Sequence, residues 1–168
     1  MQRMLVSLGL VAAFGGTAHA QPPDPKTVLS SNTMYAVEEG FLGYDIRGIV
    51  GDDLPWELTS VRWSLTDDSR LTLNVHGLVF TDDDIVPPRL RGINDESHFR
   101  AAVSCITQDD EGNVSSVNTI SRKFPATKTG NGFLSQMLDL PEDCVAPVVF
   151  ILAGSEDDWF AVSGAEMR

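Results

Sequence analysis

Residues 61–75 read VRWSLTDDSRLTLNV, and this stretch decides the fold class. Apolar side chains occupy every second position on both sides of the polar connection TDDS: Val61, Trp63 and Leu65 before it, and Leu71, Leu73 and Val75 after it. Alternation with a period of two places all of these side chains on one face of an extended chain. The stretch therefore predicts an antiparallel β-hairpin with one buried face.

The same period continues in both directions from this hairpin. Residues 42–50 alternate and predict a half-buried strand, and residues 99–105 (FRAAVSC) place Cys105 on the apolar face of another. The run VVFIL at 148–152 has no polar position, which predicts a central strand buried on both faces. Residues 114–124 are more polar and predict an edge strand, and residues 159–163 predict the last strand.

About eight strands follow, with turn signals every 8–14 residues and no amphipathic helix in the mature chain. This pattern predicts an all-β fold, an antiparallel β-sandwich, with a barrel as the lesser alternative. No tryptophan lies between Cys105 and Cys144, so the immunoglobulin signature is absent. We therefore expect immunoglobulin-like architecture without that signature.

The first 20 residues have the form of an export signal. Arg3 precedes an apolar run at 4–14 (MLVSLGLVAAF), and Ala18-His19-Ala20 matches an A-x-A cleavage site. The run is too short to span a bilayer. We predict a signal peptide at 1–20, cleaved after Ala20, an extended lead-in at 21–39 and one sandwich domain at 40–168. The mature protein is then periplasmic or extracellular, without membrane insertion.

Two cysteines, Cys105 and Cys144, are present. An oxidising compartment favours a disulfide between them, because each has only the other as an intrachain partner. Free thiols acting as metal ligands or as nucleophiles are the alternative. Such a bridge would stabilise the fold by about 4 kcal/mol in the chain-entropy account.

The charge excludes several classes of partner. The 168 residues carry 12 basic and 24 acidic side chains, and removal of the leader leaves a formal charge of −13. Nucleic acids and anionic membranes bind clustered lysine and arginine, so we expect neither as a partner. The partners that remain are a protein or a carbohydrate of unknown identity.

Several short stretches between about 40 and 164 resemble a family of small uncharacterised secreted bacterial proteins. These stretches are 55–57 (PWE), 75–79 (VHGLV), 99–105 (FRAAVSC), 124–127 (FPAT), 144–147 (CVAP) and 159–164 (WFAVSG). The resemblance implies a secreted β domain with a disulfide. It implies no activity and carries over no functional residues.

Acidic residues form short runs at the predicted turns, and two runs are candidate Ca²⁺ sites. They are Asp82, Asp83 and Asp84 in the first run and Glu156, Asp157 and Asp158 in the second. Ca²⁺ takes six to eight oxygen ligands, which acidic loops supply. No run matches the EF-hand spacing, and aspartate also favours turns for purely structural reasons. No cofactor other than this possible Ca²⁺ is expected.

Aromatic residues offer a second kind of site. Trp63 lies on the apolar face of its strand, but Trp56 follows Pro55 and Trp159 follows an acidic run, so either could be exposed. Exposed rings on a sandwich rim stack on sugars or anchor a protein partner. We therefore take Trp56 and Trp159 as candidate ligand-binding residues, with packing as the commoner use of such residues.

No catalytic signature is present. The mature chain has two histidines, His76 and His98, and lacks the H-E-x-x-H and G-x-S-x-G motifs. The first hypothesis is thus a non-enzymatic exported domain with a binding or envelope-accessory role. The alternatives are a small carbohydrate-active or hydrolytic protein that uses surface carboxylates, and a protein-interaction or inhibitor module that uses residues 81–97 or an open edge strand.

Overall fold

The computed structural model describes residues 24–164, and the signal peptide predicted at 1–20 lies outside them. Eight strands have four or more residues and four have two: β1 (Thr27–Ser31), β2 (Tyr35–Ala36), β3 (Asp45–Ile46), β4 (Ile49–Val50), β5 (Trp56–Thr66), β6 (Arg70–Phe80), β7 (His98–Gln108), β8 (Val114–Ile120), β9 (Phe124–Pro125), β10 (Gly132–Met137), β11 (Val145–Ala153) and β12 (Trp159–Val162). The only helical segment in this part of the chain is a 3-10 turn, Glu39–Phe41.

Two antiparallel sheets pack face to face, which confirms the predicted all-β sandwich. The four-stranded sheet has the order β1-β5-β6-β10, and β5 and β6 form the predicted hairpin. Trp63 lies opposite Leu73 and Leu65 opposite Leu71, so the alternating apolar side chains share one face. That face is buried while the polar residues between them stay partly exposed.

The six-stranded sheet has the order β2-β12-β11-β7-β8, with β9 also paired to β7. β11 lies at its centre, and every residue from Phe150 to Ala153 is buried. This confirms the prediction from the run VVFIL. β8 is an edge strand, again as predicted, and it carries exposed Val114, Val117 and Ile120.

Aromatic rings fill the space between the sheets. The ring of Trp56 stacks on Phe160 at a centroid distance of 3.9 Å and lies 4.0 Å from Phe80. Phe99 meets Phe160 edge-on at 6.0 Å. Burial of each such side chain stabilises the fold by roughly 1.5–3 kcal/mol, so this cluster is a main contact between the sheets.

The six-stranded sheet is also covered on its other face. Strand register places Phe150, Ala102 and Val162 side by side, on the face opposite to Ile151 and Ala101. Ala102 and Phe150 are nevertheless fully buried. The segment that covers this outer face is the β3–β4 hairpin, in which Ile49 is buried while the neighbouring Val50 is exposed.

The sequence-based prediction for residues 42–50 is therefore wrong in detail. The segment is not one strand but two two-residue strands joined by Arg47 and Gly48, at φ 58° and 82°. Positive φ at both positions is the geometry of a type I′ turn, whose twist matches that of paired strands. Alternation in the sequence did not reveal this turn because arginine is rare at positive φ.

The turn is held in place by the side chain of Arg47. Its guanidinium donates to the carbonyl oxygens of Ser104 at 3.0 Å and Ala146 at 2.9 Å. The amide of Asn118 donates back to the Arg47 carbonyl at 2.8 Å. These bonds fasten the hairpin to β7, β8 and the start of β11.

The segment predicted as an extended lead-in at 21–39 is not separate from the domain. Its described part contributes a strand to each of the two sheets. β1 pairs with β5 in the four-stranded sheet, and β2 pairs with β12 in the six-stranded sheet. The chain therefore crosses from one sheet to the other at 32–34. Three prolines at 22–25 suggested a tether, but they precede the paired residues.

The predicted disulfide is present. Cys105 on β7 is bonded to Cys144, which precedes β11, with a Cα–Cα distance of 4.8 Å. The bridge therefore joins β7 to the residue just before the adjacent strand β11. A bridge of this kind is typical of an oxidising compartment. Among residues 24–164, no helix is long and apolar enough to cross a membrane.

Candidate functional site

A hydrophobic groove of about 420 Å³ opens on the outer face of the six-stranded sheet, beside the β3–β4 hairpin. We call it the β2–β12 groove. It is formed by seven residues: Tyr35, Ala36, Glu38, Phe41, Ile46, Trp159 and Val162. β2 and β12 form one side of the groove, and the 3-10 turn and β3 form the other. The groove therefore lies where the cover formed by the hairpin ends.

Trp159 forms the floor of the groove. Its ring is 2% exposed, and its indole Nε1 donates to the carbonyl of Tyr44 at 3.0 Å. Gly51 approaches the ring so closely that a Cβ there would lie 3.1 Å from two ring carbons. A side chain at this position would press on the ring, so the floor is held by one part-buried hydrogen bond and one close backbone approach.

The rim of the groove carries exposed aromatic rings. Phe41 is 52% exposed, and Tyr44, which meets it edge-on at 6.0 Å, is 58% exposed. Tyr35 is 46% exposed on the opposite side. Large apolar side chains left at the mouth of a concave surface are typical of a binding site.

Three carboxylates, those of Asp52, Asp53 and Asp158, gather at the Trp159 end. The backbone amide of Asp52 donates to the Trp159 carbonyl at 3.2 Å. Burial raises the pKa of Asp52 to about 6, with a smaller contribution from repulsion by Asp158 and Asp53, while a hydrogen bond from the Leu54 amide offsets part of it. Burial and the charges of Asp53 and Asp157 also raise the pKa of Asp158.

The structure buries both tryptophans that the sequence offered as exposed ligand-binding residues. Trp56 is 1% exposed and lies in the core between Phe80 and Phe160, so it presents no ring face to a ligand. Trp159 and Phe160 lie next to a bulge opposite Leu152, and both are buried, on opposite faces of the sheet. Trp159 still reaches the groove from beneath.

The two candidate Ca²⁺ runs are not brought together. Asp82 and Asp84 lie 3.6 and 3.4 Å from the guanidinium of Arg91, and Asp83 accepts a hydrogen bond from Thr81. In the second run, Asp157 pairs with Arg100 at 2.6 Å. Across residues 24–164, no three acidic, histidine or cysteine side chains are arranged to hold a metal ion.

The irregular segment at 81–97 is tied down rather than free. Its own residues Val86 and Leu90 are buried. The side chain of Asn94, which is also buried, donates hydrogen bonds to the backbone carbonyls of Glu96 and Thr127. Arg91 donates to the carbonyl of Val86 at 2.9 Å. The loop is thus part of the domain surface.

His76 and His98, the histidines of the described part of the chain, are both exposed. His98 Nδ1 lies 3.0 Å from the hydroxyl of Ser97, a contact that the sequence reasoning missed. The neighbouring carboxylate of Glu96 accepts from Ser155 instead. No carboxylate therefore orients His98 within the described residues, as a serine triad would require.

The outer face of the four-stranded sheet has a different character. Strand register aligns one hydroxyl side chain from each of the four strands, in the order Ser30, Ser64, Thr72 and Ser135. The adjacent row contains Arg62, Asn74 and Phe133, and Phe133 is 60% exposed. We call this surface the hydroxyl face.

Sequence reasoning identified Trp159 but missed the other residues that line the groove. Phe41, Tyr35 and Arg47 carry no motif, and the groove depends on a hairpin that alternation misread. One usable signal was the Arg47-Gly48 pair at the midpoint of an alternating run, because a central glycine is a hairpin marker. Comparison with family models, curated proteins and solved structures finds no match for this chain.

Proposed function

We propose that the chain is an exported, non-enzymatic binding domain and that the β2–β12 groove is its binding site. The observation that carries this proposal is the exposure of Phe41 and Tyr35 on either side of a groove with an apolar floor. Exposed apolar area costs about 25 cal/mol per Å², so a bound group that covers these rings is favoured. An envelope-accessory role fits the predicted export and the disulfide.

The test uses the smallest probe with the right chemistry. Amide shifts of ¹⁵N-labelled mature protein are followed during titration with N-acetyl-tryptophan amide. We expect the largest shifts at residues 35, 41, 159 and 162. Phe41→Ala should abolish them, because it removes one wall of the groove.

Phe133→Ala is the matched control, since Phe133 is at least as exposed but lies on the other sheet. This variant should leave the shifts unchanged. Shifts spread equally over all exposed apolar residues, or equal losses in both variants, would contradict a specific groove.

Export is tested separately. Expression of the full chain in a Gram-negative host should release the protein on osmotic shock. Its amino terminus should be Gln21, and its two cysteines should resist alkylation until reduced. Retention of residues 1–20 in cell membranes would contradict this part.

A carbohydrate-binding function is the second candidate, and the hydroxyl face favours it. Sugars are bound through hydroxyl, amide and guanidinium groups next to an aromatic ring, and Ser64, Thr72, Asn74, Arg62 and Phe133 supply all four on one surface. Titration with a mixed set of oligosaccharides should shift amides of β6 and β10. Phe133→Ala should then remove the effect and Phe41→Ala should not.

A further inference from the structure

The surroundings of the β2–β12 groove are unusually acidic. The segments that build it, 35–53 and 158–162, contain six acidic residues and one basic residue. The six are Glu38, Glu39, Asp45, Asp52, Asp53 and Asp158. Glu38 lines the groove itself. The apolar groove thus has one carboxylate in its lining, and the segments that build it carry five more, which together we call the acidic border.

The one basic side chain does not neutralise these acids. Arg47 directs its guanidinium at the carbonyls of Ser104 and Ala146, on the far side of the hairpin. The three ion pairs formed among residues 24–164 involve Arg91 and Arg100, with carboxylates that are not among the six. All six carboxylates therefore lack a cationic partner in the described part of the chain.

Within the described residues, the three carboxylates at the Trp159 end also lack a positively charged partner, although one of them is partly buried. The carboxyl of Asp52 is partly buried and experiences the charges of Asp53 and Asp158. The indole of buried Trp56 lies near this carboxyl and lowers its pKa, but its Nε1 completes no hydrogen bond. A cation that approached these carboxylates would lower their mutual repulsion.

We propose that the groove binds a basic segment of a partner protein, which inserts one aromatic or aliphatic side chain between Tyr35 and Phe41 and places lysine or arginine against the acidic border. This inference rests on the proposed function and adds the chemistry of the partner. An apolar anchor supplies the affinity, and complementary charge supplies the orientation and the association rate.

Other partners match the apolar groove or the acidic border, but not both. A second copy of this chain docked through the same face would bring the acidic border into contact with itself, and the rest of its surface also has an excess of acidic residues. Anionic lipid and nucleic acid are repelled for the same reason. A neutral sugar would leave the carboxylates uncompensated, and it would meet a groove with few hydrogen-bonding groups.

The experiment compares three amidated five-residue peptides on the mature protein by calorimetry and amide shifts. The first has a tryptophan between two pairs of lysines. The second has the same tryptophan between two pairs of glutamates. The third has glycine between the lysines. We expect the first peptide to bind at least about tenfold more tightly than either of the others at low salt, and to lose affinity as ionic strength rises.

Protein variants separate the two contributions. Glu38→Gln should weaken the lysine–tryptophan peptide about threefold to tenfold at low salt, and the loss for N-acetyl-tryptophan amide, which carries no charge, should be much smaller. Glu57→Gln is its matched control, since Glu57 is an exposed acid on β5 in the other sheet, and it should have no effect. Unchanged circular dichroism shows that each variant is folded.

The outcomes distinguish this inference from the proposed function. Equal affinity of the lysine and glutamate peptides, with tryptophan amide still in the groove, would overturn the basic partner and leave the groove as a binding site. Equal binding by the glycine peptide would show attraction to charge alone and would overturn the anchored mode. No binding by any tryptophan probe would overturn both.

Discussion

The outer faces of the two sheets are both formed by antiparallel strands, but one face is polar and partly exposed whereas the other is apolar and buried. On the four-stranded sheet, Ser64, Thr72 and Asn74 are polar and partly exposed. On the six-stranded sheet, Phe150 and Leu152 face outward from the sandwich and are fully buried. The difference shows that the molecule has a second hydrophobic layer, closed by the β3–β4 hairpin.

This second layer explains where the candidate site is found. A sheet face that is polar needs no cover, whereas a face carrying Phe150 and Leu152 must be covered to avoid exposing apolar area. The hairpin turn lies against β7, β8 and the start of β11 but leaves the β2–β12 edge open. The groove is the part of the apolar face that the hairpin leaves open.

The largest expected effect is a direct contrast between the two faces. Phe150→Ala should lower the free energy of unfolding by about 4 kcal/mol, because it removes a buried ring and leaves a cavity. Thr72→Ala, on the exposed face, should change it by less than about 0.5 kcal/mol. Urea unfolding measures both. Similar losses in the two variants would break the distinction between the faces.

The disulfide should have the next largest effect, and it joins β7 to the residue that precedes β11. Reduction should lower the free energy of unfolding by up to about 4 kcal/mol, since it frees a loop whose ends are 39 residues apart. The Cys105→Ala/Cys144→Ala double variant is the control, and reductant should not affect it. A loss of equal size in that variant would mean that the reductant acts elsewhere.

Removal of the Arg47 side chain should loosen the β3–β4 hairpin and leave the contacts of the four-stranded sheet unchanged. Arg47→Gly keeps positive φ accessible, so a loss reflects the two guanidinium bonds and amounts to about 2 kcal/mol. Hydrogen exchange should quicken at the amides of β3 and β4 and stay slow in β5 and β6. Uniform quickening across both sheets would show that the hairpin is not a separate layer.

The smallest effect concerns the charge at the edge of the cover. The pKa of Asp52 is about 6 in the folded protein, above the ordinary aspartate value of 3.8, so the folded state holds the proton more strongly than the unfolded chain. Its contribution to stability is present below about pH 4 and is lost as the pH rises through about 6. At about pH 7.5 the ionised carboxylate therefore opposes folding.

Asp52→Asn removes this charge and keeps an oxygen to accept the Leu54 amide. We expect it to raise the free energy of unfolding by about 1 kcal/mol at about pH 7.5, a value reduced from the full pKa shift because the group is partly exposed to solvent. The gain should vanish below about pH 4. Asp110→Asn, at an exposed turn, is the control, and a gain at all pH values in Asp52→Asn would rule out titration as its cause.

The sequence predicted correctly those elements whose structure depends on neighbouring residues, and it failed where distant residues determine the structure. The β5–β6 hairpin and the β11 strand follow from periods of two and from an unbroken apolar run, because neighbouring residues alone set which face each side chain takes. The segment at 42–50 has the same period, yet Arg47 and Gly48 reverse the chain in its middle. Two bonds to residues 57 and 99 positions away hold that reversal, so no local pattern announces it.

The candidate site shows the same limit. Trp159 was identified from sequence as a candidate ligand-binding residue, but its burial and the exposure of Phe41 follow from which segments cover which face. The acidic runs were visible as runs, but Arg91 and Arg100 occupy part of them through contacts made in the folded chain. The acids around the groove form no ion pair within the described residues, so they remain available to attract a positively charged partner.

The sequence by itself determined the fold class, the central strand, the edge strand and the identity of the disulfide partners. Each of these depends on alternation over a few residues or on the count of two cysteines. Tertiary structure alone decided that residues 42–50 fold back over the outer face and that β2 and β12 meet beside them. The physical reason is that burial is a property of two surfaces in contact, and the partner of an apolar face is chosen by distant parts of the chain.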